Sequence, residues 1–197
     1  MKIKLILIAF ILMTSCKDET AQLPILSYNY IDGKKELYKI DAFEFKNQDG
    51  KLITSALTEG QVHTMNFFFT SCPSICPPMR LQQQAIAETF SEEKNFKQYS
   101  ISIDYKNDTV DQLKRHVELH SIKTNQWNLL RATSKKQLED IAKLLKTNFK
   151  PNEDGTDFYH SSYVALIDKE QYIRGFYDVL NPKEVTLLKR DIRNLLD

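Results

Sequence analysis

The stretch Val62-His63-Thr64-Met65-Asn66-Phe67-Phe68-Phe69-Thr70-Ser71-Cys72-Pro73-Ser74-Ile75-Cys76-Pro77-Pro78 decides the fold of this chain. Residues 62–70 gather Met65, Phe67, Phe68 and Phe69 into a near-continuous apolar run, the pattern of a central strand covered on both faces. Pro77 and Pro78 suit a first helical turn, where a missing N–H costs nothing. Met79, Leu81, Ala85, Ile86 and Phe90 then supply a partial apolar stripe, so a helix is expected from Cys76 to Phe90. Two cysteines therefore sit where a buried strand gives way to a helix.

Working outward, residues 38–45 are rich in aromatic and β-branched side chains. The turn Asn47-Gln48-Asp49-Gly50 and a return strand over 51–55 make them the first arm of an opening hairpin. Downstream, 99–103 reads as a strand, with Asp108 placed to cap a helix carrying Val110, Leu113 and Val117. Trp127 to Arg131 reads as a short strand. Ser134 with Gln137 forms a capping box before Leu138, Ile141, Leu144 and Leu145. Residues 148–157 read as loop, and 162–167 and 172–177 as a second hairpin. Asn181, Pro182 and Glu184 open a final helix. The order predicts an α/β fold, one mixed β-sheet sandwiched by α-helices with an added N-terminal β-hairpin.

Composition narrows the function. The chain has 197 residues, 42% hydrophobic and 27% charged, enough for a domain of this size with a real core. Twenty-seven basic residues against 26 acidic ones give a net charge of +1, and no bulk electrostatics draw the protein to nucleic acid. Lys2 and Lys4 ahead of the apolar run Leu5 to Met13 form a leader too short to span a bilayer, and residues 1–15 are expected to be a lipoprotein-type signal peptide. Leu12-Met13-Thr14-Ser15-Cys16 resembles a bacterial lipobox, which makes Cys16 the lipidation site and the membrane a partner through acyl chains. Without Lys2 and Lys4 the charge falls to about −1, so attachment rests on the lipid and not on a polybasic patch. Residues 16–36, polar with scattered Pro, Asn and Gly, are expected to tether a domain spanning 37–197. The domain is thus placed outside the cytoplasm, on a bacterial membrane, where thiols meet an oxidising environment.

Chemistry concentrates in Cys72-Pro73-Ser74-Ile75-Cys76. Partial positive charge at a helix N-terminus favours thiolate, the form that attacks disulfides and binds metal. A separation of four lets the two sulfurs meet, either around one metal ion or in one disulfide. Two buried structural cysteines would leave the proline-flanked junction unexplained.

Phe67 to Pro77 resembles the signature of the Sco/SenC copper-chaperone family. Two further segments agree: Ser100-Ile101-Ser102-Ile103-Asp104 followed by Asp108-Thr109, and His160-Ser161-Ser162 leading to Leu166-Ile167-Asp168. The resemblance spans about Tyr38 to the C-terminus. It implies a thioredoxin-like fold in which Cys72, Cys76 and His160 bind copper, and delivery of that copper to the dinuclear CuA site of cytochrome c oxidase, with the copper-receiving oxidase subunit as partner. The chemistry suits it, because two thiolates favour Cu(I) and an added imidazole supports Cu(II). Ser74, often acidic in the family, Tyr105 and Val110, often proline, and Tyr159, often Asp, depart from the pattern. Asp104 is a candidate supporting residue, and Met79 is read as core packing.

A second function competes: a thiol-disulfide oxidoreductase using Cys72 and Cys76 as its redox pair, fed by a thiol reductant partner and reducing cysteines of an exported protein. The three-residue spacer, in place of two, and a histidine where such enzymes carry a cis-proline favour copper. Peroxide reduction is the weakest reading, with only Arg80 and Arg131 as candidate arginines. His116 and His120 stand at i and i+4 on a helix without the Glu of a zinc-protease motif and are read as incidental, as is His63.

Overall fold

A computed structural model describes residues 22–147, 149–151 and 158–197, with 149–151 and 158–160 described by their main chain. The leader, Cys16 and the start of the expected tether lie outside the described residues, as do 148 and 152–157. In chain order the elements are β1 (Tyr28–Ile31), β2 (Lys34–Leu37), β3 (Glu44–Asn47), β4 (Leu52–Thr54), α1 (Ser55–Thr58), β5 (Val62–Phe68), α2 (Cys76–Thr89) and β6 (Phe96–Ser102). They continue with α3 (Val110–His120), β7 (Trp127–Arg131), α4 (Lys135–Leu144), β8 (Phe149–Pro151), β9 (Phe158–His160), β10 (Tyr163–Ile167), β11 (Ile173–Asp178) and α5 (Pro182–Leu196).

Seven strands form a mixed sheet in the order β11-β10-β5-β6-β7-β3-β4. β5, β6 and β7 run parallel, and the flanking strands are antiparallel. Every residue of β5 is buried because both faces are covered. On one face Met65 and Phe67 pack with Leu138, Ile141 and Leu145 of the α4 region. On the other, Val62 packs with Met79 and Ile86 of α2 and Leu188 and Ile192 of α5, while Phe68 meets Leu113 of α3. Each fully buried aliphatic or aromatic side chain contributes about 1.5–3 kcal/mol.

α2 is also fixed through polar atoms. Gln83 Nε2 donates to Asn66 Oδ1 at 2.8 Å and to Ser100 Oγ at 3.1 Å, and Trp127 Nε1 donates to the same Ser100 oxygen at 2.9 Å. The network joins α2 to β5, β6 and β7 under a fully covered face, where an unmet donor would cost about 1–3 kcal/mol.

The structure revises four readings. Residues 16–36 are not tether throughout: Asp32 and Gly33, both at positive φ, close the two-residue hairpin of β1 and β2, for which Asp-Gly is a favoured pair. That segment is docked as well, with Leu26 N donating to Ile173 O at 2.7 Å and Tyr38 N to Ser27 O at 2.9 Å. Tyr38 to Phe43 is irregular rather than strand, because its polar groups are met elsewhere; the Tyr38 hydroxyl donates to Leu144 O and Ile40 N to Gln171 O, both at 2.9 Å. Within 148–157, Phe149–Pro151 pairs with Phe158–His160. Finally, Thr109 caps α3 by accepting from Gln112 N, and Asp108 turns inward.

Candidate metal centre

The sheet brings Cys72 and Cys76 together at the C-terminal end of β5. Cys72 is buried, packed among Phe67, Phe69 and Ile103; Cys76 is half-buried and touches both that cluster and the one around Phe68 and Leu113. Cys76 is the first residue of α2, and its N–H donates to Cys72 Sγ at 3.4 Å. Pro77 and Pro78 carry no N–H, and Met79 N already bonds to Ile75 O at 3.1 Å. The amide of Cys76 is thus an orphan donor of the first turn, and the helix aims it at sulfur, which stabilises negative charge there. The Ser74 hydroxyl lies 3.8 Å from the same sulfur.

Asp108 holds the loop that delivers these sulfurs. Its carboxylate accepts from Thr70 N at 3.0 Å, Thr70 Oγ1 at 2.5 Å and Ser102 Oγ at 2.5 Å, bridging the ends of β5 and β6 two residues before Cys72. Burial pushes its pKa up, and the hydrogen bonds from Ser102 and Thr70 oppose that shift. Asp104 serves its own turn, accepting from Asn107 N at 3.2 Å and Asn107 Nδ2 at 2.8 Å. The sequence offered Asp108 as the cap of α3; the structure gives that role to Thr109 and turns Asp108 back to Thr70 and Ser102.

His160 ends β9, level with Phe149 in the ladder with β8. Its side chain lies outside the described residues. Its neighbour Ser161 shares a small cavity with Met65, Phe67 and Tyr163, so the chain beside His160 passes along the end of β5 that leads to Cys72. Among the described residues no three His, Cys, Asp or Glu side chains gather into a metal site. Met79, 1% exposed, packs in the core as expected.

A cavity of about 80 Å³, open to solvent, is lined by Cys72 and Cys76 together with Arg80, His116 and His120. Spacing alone makes the last two incidental; the fold brings them to the cavity that the cysteines line.

A dithiol where a central parallel strand turns into a helix, on a mixed sheet covered by helices on both faces, defines a thioredoxin-like protein. The SCO1/SenC family model matches residues 32–197, and the chain belongs to that family. It is 30% identical over 143 residues to the SCO1 protein homolog of Bacillus subtilis (strain 168), covering 72% of this chain and 74% of that one. A SCO1/SenC family lipoprotein from Bacillus anthracis str. Ames has the same fold, with a TM-score of 0.75, 24% identity, and coverage of 88% of this chain and 100% of that one. BsSco, a member of the Sco family of cytochrome c oxidase assembly proteins in which a disulfide switch was identified, superposes with a TM-score of 0.70 at 27% identity over 81% of this chain and 94% of its own. Arabidopsis thaliana ScoI with copper bound gives 0.64 at 25% identity over 77% and 96%.

Proposed function

We propose that this protein is a membrane-tethered copper chaperone that holds copper through Cys72, Cys76 and His160 and passes it to the CuA-bearing subunit of cytochrome c oxidase. The observation that carries the reading is the Cys72 sulfur seated on the Cys76 amide at the start of α2, at the sheet end toward which the chain beside His160 runs. Two soft thiolates select Cu(I), and an imidazole in addition supports Cu(II). A set of three donors leaves one position through which a recipient ligand can enter before the donors let go. Family membership, the copper held by Arabidopsis thaliana ScoI and the oxidase-assembly family of BsSco support the cargo and the recipient.

The leader and Cys16 support export and lipid anchoring. Among the described residues no helix is long and apolar enough to cross a membrane. Digestion and mass spectrometry of the protein from membranes should find a diacylated Cys16 as the first residue; an unmodified Cys16 inside a longer chain would overturn the anchor.

The copper assignment is tested by titrating reduced protein with Cu(I) under competition. Uptake of one ion is expected, and Cys72→Ser/Cys76→Ser should abolish it. Stoichiometric copper retained by that variant would sink the reading. A second reading, thiol-disulfide exchange, is favoured by the Cys76 amide donating to the Cys72 sulfur and by the disulfide switch of BsSco. One thiolate attacks a partner disulfide and the other resolves the mixed disulfide, so the partner leaves with two thiols and this chain with one disulfide. Turnover unchanged in His160→Ala would favour it over copper delivery.

A further inference from the structure

His116 and His120 stand one turn apart on α3, with ring centroids 4.5 Å apart and planes at 68°. Neither points to the solvated back of the helix. The His116 ring lies 6.0 Å from that of Phe68, and Phe68 belongs to the cluster on which Cys76 packs. Gln84 of α2 donates to His120 O at 2.7 Å, so the helix carrying Cys76 and the helix carrying the imidazoles are joined beside the cavity they share.

We propose that His116 and His120 form a second metal site of this protein, a two-imidazole clasp for a copper ion that opens on the cavity lined by Cys72 and Cys76.

Spacing i, i+4 on a helix lets two imidazoles converge on one ion, as it does for the paired histidines of helical metal sites. Imidazole suits copper, and Cu(II) heads the affinity order of the divalent first-row ions. With two protein donors, the remaining positions are left to water or to an entering ligand. Arg80 lines the same cavity. Burial first, then the charges of His120 and Arg80, push His116 down to about 4; burial and Arg80 lower His120. Both rings therefore offer lone pairs at neutral pH. The same guanidinium repels a bound cation, so the site is one that releases its ion readily. The clasp stands independently of the thiol site and opens on the same cavity as Cys76.

The test isolates the pair. Of the chain's four histidines, His63 is fully buried. In a full-length Cys72→Ser/Cys76→Ser/His160→Ala background, His116 and His120 are the histidines that remain accessible. Cu(II) added to that protein should give an electron paramagnetic resonance spectrum with coupling to two nitrogens. His120→Asn or His116→Asn should reduce the coupling and weaken binding roughly tenfold or more. Arg80→Gln should tighten it severalfold. The Arg80 variant keeps both rings, so it tests the site even where His116→Asn disturbs the packing on Phe68. Cu(II) binding and nitrogen coupling that are the same with and without the histidine pair would overturn the proposal. Failure of the thiol site is read separately, as absence of sulfur-to-copper absorption in the unsubstituted protein.

Discussion

Cys72 and Cys76 leave a strand paired along both edges, with β6 on one side and β10 on the other, whereas His160 ends a three-residue strand laddered to another three-residue strand. The cysteine half is further fixed by three hydrogen bonds to Asp108, by the Cys76 amide on Cys72 sulfur and by the Gln83 network under α2. The proposed histidine half takes its place from the β8–β9 ribbon and from the start of β10. The difference teaches that the position of the sulfurs is a property of the core, while the proposed third donor is set by a local ribbon beside it. For the copper delivery proposed above, that division is useful: the two proposed sulfur donors are prepared in advance, and the proposed imidazole donor can be exchanged.

The comparison can be broken most severely at Asp108. Asp108→Ala leaves the Thr70 amide and the Thr70 and Ser102 hydroxyls without their acceptor, each buried donor costing about 1–3 kcal/mol. A loss of about 3 kcal/mol in urea unfolding is expected, with a roughly tenfold weaker Cu(I) affinity, as for other groups that orient metal ligands. Unchanged Cu(I) affinity would show that the sulfurs find their geometry without the tie.

Acid tests the same half through its strand. His63 is fully buried in β5, and burial holds its pKa near 4 against an ordinary 6.5; the bond to Gln61 O and the charge of Asp168 oppose this only in part. Below pH 6.5 the unfolded chain takes up a proton that the fold refuses. Stability is therefore full above 6.5 and falls as the pH drops toward 4, by up to about 3 kcal/mol. Denaturant midpoints at pH 7.5 and 5 should differ in the unsubstituted protein and differ less in His63→Gln. An equal fall in both would place the acid sensitivity elsewhere.

The smallest effect on Cu(I) and on stability is expected on the ribbon side. His160→Ala should weaken Cu(II) by roughly tenfold to a hundredfold and leave Cu(I) nearly unchanged, because two thiolates suffice for the monovalent ion. Competition titrations in both oxidation states distinguish this from equal loss in both, which would make His160 part of the prepared half.

Periodicity and turn chemistry determined most of the sheet and four of the helices from the sequence. The Phe67-Phe68-Phe69 run placed the central strand, the prolines after Cys76 placed the start of α2, and Ser134 and Asn181 cap α4 and α5 by accepting from Gln137 N and Lys183 N. The cysteine pair was legible for the same reason, since a strand followed at once by a helix fixes where the intervening residues emerge. The Asp32-Gly33 hairpin was legible too, but its polar surroundings made it read as tether. What only the tertiary structure decided involves partners distant in sequence. Asp108 and Asn181 look alike as caps, yet one bonds across 38 residues to Thr70 and the other bonds within its own helix start. His116 and His120 acquire meaning only because α3 is joined to α2 through Gln84 and lines the same cavity as the cysteines. Local sequence encodes dihedral preference and which face is apolar; which polar group meets which, across two crossovers, is settled by packing the layers together.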